Sequence, residues 1–261
     1  MALRIAQIRA FVVFAGVAIG CSILMPLAYA QRGGPAGPPP TPKAAAPIDI
    51  TGTWVPLLTE DWRVRMVTPK KGDYESVPLN PEGRRVADTW DPAKDEAAGQ
   101  QCKAYGAASL LRVPGRIRIS WESDTVLKIE TEAGTQTRRL QFIPASQQPP
   151  AAPPSLQGVS VAAWENVLGR GQARTGNMKV VTRDLTPGYL RKNGVPYSEN
   201  AVLTEYFNVV GDQATGRWLI VTSVVDDPTY LTQRFITSSH FKQEADGSKW
   251  NPTACTNRSE E

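Results

Sequence analysis

The stretch from Ala201 to Phe241 constrains this chain more than any other, because it fits three β-strands and two turns into one short span with almost no helical alternative. Ala201–Val210 is β-branched and aromatic, the polar run Gly211–Gly216 turns it into Arg217–Val225, and Asp226-Asp227-Pro228 turns the chain again before Tyr230–Phe241. β-Branched and aromatic side chains favour a pleated surface, while Gly, Asp and Pro fix the turns. The stretch is a three-stranded meander. Side chains alternate faces along a strand, so Ala201, Leu203, Glu205, Phe207 and Val209 share one face. Glu205 is the one charged residue on it. A carboxylate turned towards a core must be paired, hydrogen-bonded or neutralised, so Glu205 is either a site residue or half of a structural ion pair.

The same rhythm recurs along the chain. Ile48–Trp54 starts a first strand, and Ile117, Ile119 and Trp121 alternate with Arg116, Arg118 and Ser120. Val126–Thr131, Thr135–Ile143, Gln157–Glu165 and Lys179–Asp184 follow, which makes eight to ten antiparallel strands in an all-β fold. A closed barrel or a sandwich accommodates that number, and closure removes exposed strand edges. Between Glu60 and Ala108 the rhythm loosens. Asn80 before Pro81 and Asp91 before Pro92 read as helix starts, Gly99 as a stop, and Val86 and Trp90 lie on one helix face. A short helical insertion at about 79–99 is therefore predicted within a single domain spanning 48–261, since so short a segment cannot bury a core of its own. Pro144–Pro154 reads as a surface loop, and Pro187-Gly188 with Asn193-Gly194 punctuates the connection to Ala201.

Arg4 and Arg9 precede an apolar run over 10–24, Pro26 breaks it, and Ala28-Tyr29-Ala30 has the small-x-small form of a cleavage site. Residues 1–30 thus read as a signal peptide cut between Ala30 and Gln31, which places the mature protein in the periplasm or outside the cell. The rivals are a lipoprotein signal acylated at Cys21 and an uncleaved anchor, whose apolar run would sit at the short limit for a span. After cleavage no stable membrane span is expected. Residues 31–47 form a Pro/Gly/Ala-rich linker. The chain carries a net charge of +4, and loss of the two signal arginines leaves 27 basic against 25 acidic residues. With no clustered basic face, nucleic acid is not an expected partner. Cys102 and Cys255 remain in an oxidising compartment and are expected to pair. That bridge would set Trp250 and Pro252 beside the helical segment around Trp90. Oligomeric state stays open.

His240 is the only histidine, which excludes His-rich zinc or iron sites. Neither a P-loop nor a dinucleotide fingerprint is present, so no metal and no cofactor are expected. A Ser-His-acid triad would have to use His240, which alternates with Ser238 on a predicted strand, and the chain has no G-x-S-x-G elbow. His240 is accordingly read as structural. Acid/base catalysis would need a different set: Glu205, Asp227 and Tyr230, with Asp184 and Tyr206 in reserve, converging on a hydrophobic substrate.

Gly52-Thr53-Trp54 in a first strand resembles the lipocalin signature, in which the tryptophan closes the barrel base against a basic residue from a late strand. Arg234 is the expected match, with Lys242 second. The resemblance implies a lipocalin-like barrel, an antiparallel meander whose cavity holds a small apolar molecule against Trp54, Trp121, Trp164, Glu205 and Arg234. No Thr-Asp-Tyr-type motif accompanies it, and the insertion is longer than lipocalins usually carry. A second resemblance covers most of the mature chain. Pro114-Gly115-Arg116, Ser160–Glu165, Leu190–Pro196, Thr204-Glu205 and Asp226-Asp227-Pro228 are similar to blocks of a family of exported bacterial proteins without an assigned activity. It implies export and one domain, and it supplies no reaction. Three functional classes follow: a binding module for a small apolar molecule, a metal-independent isomerase, hydratase or lyase, and an envelope scaffold tethered by the Pro-rich arm.

Overall fold

A computed structural model describes residues 38–144, 146–149, 151–168, 174–212 and 214–257. The signal segment 1–30, its cleavage site and Cys21 lie outside them. Nine strands close into a barrel: β1 (Gly52–Leu57), β2 (Ile117–Trp121), β3 (Val126–Thr131), β4 (Thr137–Gln141), β5 (Val159–Leu168), β6 (Arg174–Arg183), β9 (Val202–Asp212), β10 (Gly216–Asp226) and β11 (Phe235–Gln243). Two further strands, β7 (Gly188–Arg191) and β8 (Val195–Tyr197), leave the barrel between β6 and β9 as a separate hairpin. Going round, the order is β1-β11-β10-β9-β6-β5-β4-β3-β2 and back to β1. Strand directions cannot alternate all the way round a ring with an odd number of members. One neighbouring pair must therefore run parallel, and it is β4 with β5, in register at Leu140↔Ser160 and Gln141↔Val161. Parallel neighbours need a long crossover, which explains the Pro-rich connection between Gln141 and Val159.

The 201–241 meander forms β9, β10 and β11, with Val221 opposite both Phe207 and Ser239. Its apolar face turns inward, as the alternation requires. Trp54, Ile119, Leu127, Ile129, Leu140, Met178, Val180, Phe207, Leu219, Val221 and Phe241 fill the barrel. Each exposes at most 1 % of its surface, so none lines a void that would admit water. Burying a side chain of this size contributes ~1.5–3 kcal/mol.

A second apolar cluster caps one end of the barrel. It joins Leu203, Val225 and Phe235 from the strand ends to Tyr74, Val77, Leu79 and Ala87 of the 58–114 segment and to Leu190, Val195 and Tyr197 of the hairpin. That segment contains α1 (Trp62–Met66), α2 (Pro81–Asp88) and α3 (Pro92–Ala97). The helix starts are made as the sequence suggests: Asn80 Oδ1 accepts from Gly83 N at 2.8 Å and Asp91 Oδ1 from Ala93 N at 3.1 Å, each with proline in the first turn. The hairpin turns at Asn193-Gly194, where Gly194 has φ +83° and the Trp90 ring lies so close that any Cβ would collide with it.

Cys102 and Cys255 are bonded, with Cα atoms 5.1 Å apart. The tail reaches the insertion at Asn257, whose side chain bonds Pro92 O at 3.5 Å. Trp250 does not lie beside Trp90. Its ring stacks on Arg118 of β2 at 4.4 Å, because the tail first crosses the barrel wall, where Asn251 N is held by Glu132 at 2.7 Å. No helix among the described residues is long and apolar enough to cross a membrane.

Candidate functional site

Glu205 faces inward from β9 and meets Arg138 of β4. Nη1 reaches Oε1 at 3.1 Å and Nη2 reaches Oε2 at 2.7 Å, with both side chains essentially sealed from solvent. Nη2 also contacts Thr182 Oγ1 at 3.2 Å and Ser160 Oγ at 3.4 Å, and those hydroxyls bond each other at 2.8 Å. These residues stand on the neighbouring strands β4, β5, β6 and β9. Together they form a polar layer between the barrel core below, with Phe207 and Val180, and the capping cluster above, with Leu203. Both carboxylate oxygens are engaged by one guanidinium fork, the strong form of ion pair.

The other predicted acid/base residues do not join Glu205. Asp227 is buried at the end of β10, where it accepts from Ser198 N and Ser198 Oγ, both at 2.7 Å, and from Thr229 N at 3.1 Å. Tyr230 lines a groove of ≈ 320 Å³ with Trp90, Asp95, Lys103, Tyr189 and Tyr197. In that groove Asp95 is held by Lys103 at 3.1 Å and by the Tyr189 hydroxyl at 2.7 Å, a contact that pins α3 to the hairpin. Burial and then Asp95 push the Tyr189 hydroxyl above its ordinary range. Tyr206 projects from the outer wall under Lys179, and Asp184 is exposed.

The predicted ligand-binding set divides in the same way. Trp54 is fully buried at the barrel base, its Nε1 donating to Ile50 O at 3.1 Å. The cation over its ring is Arg217, at 5.8 Å, in place of Arg234 or Lys242. The register explains the difference. Trp54 pairs with Gln243 at the end of β11, and Arg217 reaches that Gln243 from β10, whereas Arg234 precedes the start of β11, roughly 30 Å away at ~3.3 Å per residue. Arg234 is exposed and pairs with Asp226, and Lys242 covers Trp218. Trp121 and Trp164 pack with Phe142, with centroids 5.2–6.5 Å apart, and Trp164 Nε1 donates to Pro42 O at 2.8 Å. Pro42 is thus held against Trp164, and the barrel interior holds side chains in place of the expected ligand.

The concentration of chemistry lies outside the barrel, where α1 meets the hairpin and the middle of β11. Arg65, Arg112 and Arg191 line one narrow cleft of ≈ 30 Å³ with Ser109, Leu190 and Lys192. All three arginines are more than nine-tenths buried. Arg65 Nη1 pairs with Glu60 at 3.0 Å and its Nε donates to Arg112 O at 2.9 Å. Arg112 Nη2 pairs with Asp61 at 2.8 Å. Arg191 Nη1 has only the carbonyl of Glu75, at 2.7 Å, and no carboxylate among the described residues. Each guanidinium keeps one buried N–H atom without a protein partner: Arg65 Nη2, Arg112 Nη1 and Arg191 Nε. Burial, followed by the charge of Arg112, lowers the Arg65 pKa to about 10, and the same two causes lower that of Arg191. Asp61 adopts φ +48° at the start of α1, a left-handed conformation that Asp tolerates better than most residues and that costs ~1–2 kcal/mol. The cleft continues past Val64 and Arg191 into a groove of ≈ 240 Å³ lined by Trp62, Arg63, Glu75 and Ser76.

Glu60 ties this cluster to β11. Its Oε1 lies 2.6 Å from His240 Nδ1, and His240 Nε2 lies 3.0 Å from Ser238 Oγ. Among the described residues no group of three or more His, Cys, Asp and Glu is placed to hold a metal ion. Comparison with protein-family models, curated proteins and solved structures finds no match to this chain.

The three arginines belong to no recognisable motif in the sequence. The signal that could have found them is an arginine embedded in apolar residues, as in Val64-Arg65-Met66, Leu110-Leu111-Arg112-Val113 and Leu190-Arg191. Such a guanidinium is drawn into a core and must find partners there.

Proposed function

We propose that this protein is an exported binding module, a lipocalin-like barrel that takes a small molecule by its oxyanion group in the arginine cleft on its flank. The observation that carries this reading is the set of three buried guanidiniums around one cleft, each keeping an unpartnered N–H atom. A buried cation without a full set of acceptors is expensive, and an oxyanion supplies those acceptors in the geometry guanidinium forks prefer. The narrow cleft suits the acidic head of a ligand, and the adjoining groove, lined by Asp61, Trp62, Arg63, Glu75 and Ser76, suits a largely polar body. Export is supported by the N-terminal signal pattern and by the Cys102–Cys255 bond, which suits an oxidising compartment.

Titration calorimetry with inorganic phosphate, sulfate and acetate tests the reading. At least one is expected to bind, and Arg191→Met is expected to weaken that binding at least tenfold, or ~1.4 kcal/mol. Absence of heat from all three at millimolar concentration, or unchanged affinity in Arg191→Met, overturns it.

A further inference from the structure

Ser238 and His240 stand outside the anion cleft, and nothing in the binding function uses them, while Glu60 reaches them from its pair with Arg65. His240 and Ser238 are two apart on β11 and so share its outer face, while β1 ends opposite His240, at Leu57. The chain leaving β1 brings Glu60 back over that face. An ionised carboxylate only accepts hydrogen bonds, so the 2.6 Å contact with Glu60 assigns the proton of neutral His240 to Nδ1. Nε2 is then a lone pair, and it lies 3.0 Å from the Ser238 hydroxyl. Thr59 Oγ1 approaches the same Nδ1 at 3.3 Å, and Arg65 holds the other Glu60 oxygen at 3.0 Å, which fixes the carboxylate in place. Nucleophile, base and orienting carboxylate are thus within hydrogen-bond reach in the order that serine hydrolases require, a constellation recognised by geometry and not by sequence order.

We propose that Ser238 is the nucleophile and His240 the general base of an ester-hydrolysing site, with Glu60 as the positioning residue. Ser238 Oγ attacks the carbonyl carbon of a carboxylic ester as its proton passes to His240 Nε2. The tetrahedral intermediate collapses, the ester C–O bond breaks, and the alcohol leaves with the proton from Nε2. Water then attacks the acyl-serine, giving one proton through His240 back to Oγ and releasing the acid. No co-reactant other than water is needed. Donors for the oxyanion come from the strand itself. β11 has no partner on the β1 side before His240, and backbone N–H groups alternate sides along a strand. An N–H within one residue of Ser238 therefore points to that open edge.

Ser238 and His240 take no part in anion binding, so a test centred on them keeps the two apart. The intact protein is incubated with an alkyl fluorophosphonate, in which Ser Oγ displaces fluoride, and the label is located by peptide mass spectrometry. One label on Ser238 is expected, together with turnover of p-nitrophenyl acetate. Ser238→Ala should abolish both while phosphate binding and the melting temperature stay unchanged. His240→Gln should slow labelling by about 100-fold or more, the usual contribution of a general base. Glu60→Gln should slow it as well, and Glu60→Asp should restore most of the rate, which a purely structural role would not do. An unlabelled folded protein, a label on another residue, or equal labelling of Ser238→Ala and wild type overturns the proposal.

Discussion

Arg138 and Arg191 are both guanidiniums buried in an apolar setting, yet the molecule treats them in opposite ways. Inside the barrel, Arg138 meets the two oxygens of Glu205 and two hydroxyls, so its charge is balanced by a carboxylate although its Nε has no partner. On the flank, Arg191 hydrogen-bonds one backbone carbonyl, shares its cleft with two arginines, and feels Asp61, Asp73 and Glu75 only at longer range. The interior pair holds strands β4, β5, β6 and β9 in register. The flank cluster keeps unsatisfied capacity that a ligand can fill. Burial of a charge is thus no guide to function until its partners are counted.

Removing one partner from each site should separate them most sharply. Arg138→Met strands a buried carboxylate and is expected to cost about 3–5 kcal/mol, whereas Arg138→Met combined with Glu205→Leu should recover most of the loss. Arg191→Met removes a guanidinium that no carboxylate hydrogen-bonds, so its cost should stay within ~1 kcal/mol. Guanidinium unfolding midpoints measure both. Equal destabilisation by the two single substitutions would show that the flank arginine is structural as well.

The disulfide sharpens the contrast from the other side. It joins Cys102, beside α3, to Cys255 in the tail, across a separation of 153 residues. Closing a loop of this kind stabilises by ~2–4 kcal/mol. Reduction should therefore lower the melting temperature, and hydrogen exchange should show the flank opening first while β9, β10 and β11 keep their protection. Uniform loss of protection across barrel and flank would mean that the two unfold as one unit.

The barrel was legible because period-two alternation over 201–241 leaves few other solutions, and Glu205 was legible as an anomaly on an apolar face. Its partner was not. Arg138 sits in the Thr137–Gln141 strand next to an exposed arginine, Arg139, and only the register decides which of the two turns inward. The β7–β8 hairpin is not legible either, since Asn193-Gly194 reads as punctuation within a long connection. Without that hairpin Arg191 has no address, and the cleft cannot be assembled from sequence. The link from Glu60 to His240 spans β1 and β11, a pairing that only closure of the barrel creates.

The smallest effect concerns the hydroxyls that hold the flank together. Tyr74 donates to Asp88 Oδ1 at 2.8 Å, and burial, followed by that bond, pushes its pKa up to about 12. Burial also raises Tyr189 and Tyr197, both in the same region. A tyrosine whose pKa in the folded chain exceeds its unfolded value of about 10 contributes stability that is fully present below pH ~10. That contribution falls as the pH rises from about 10 to about 12, because the unfolded chain then releases its proton more readily than the folded one. Tyr74, Tyr189 and Tyr197 all belong to the flank, so alkaline loss should begin there. Tyr74→Phe should cost ~0.5–1.5 kcal/mol at neutral pH through its lost hydrogen bond, and the gap to wild type should shrink as the pH approaches 11.5. Parallel stability curves for the two proteins from pH 8 to pH 11.5 would show instead that Tyr74 titrates as freely when folded as when unfolded, and that the flank is not the alkali-sensitive half of the molecule.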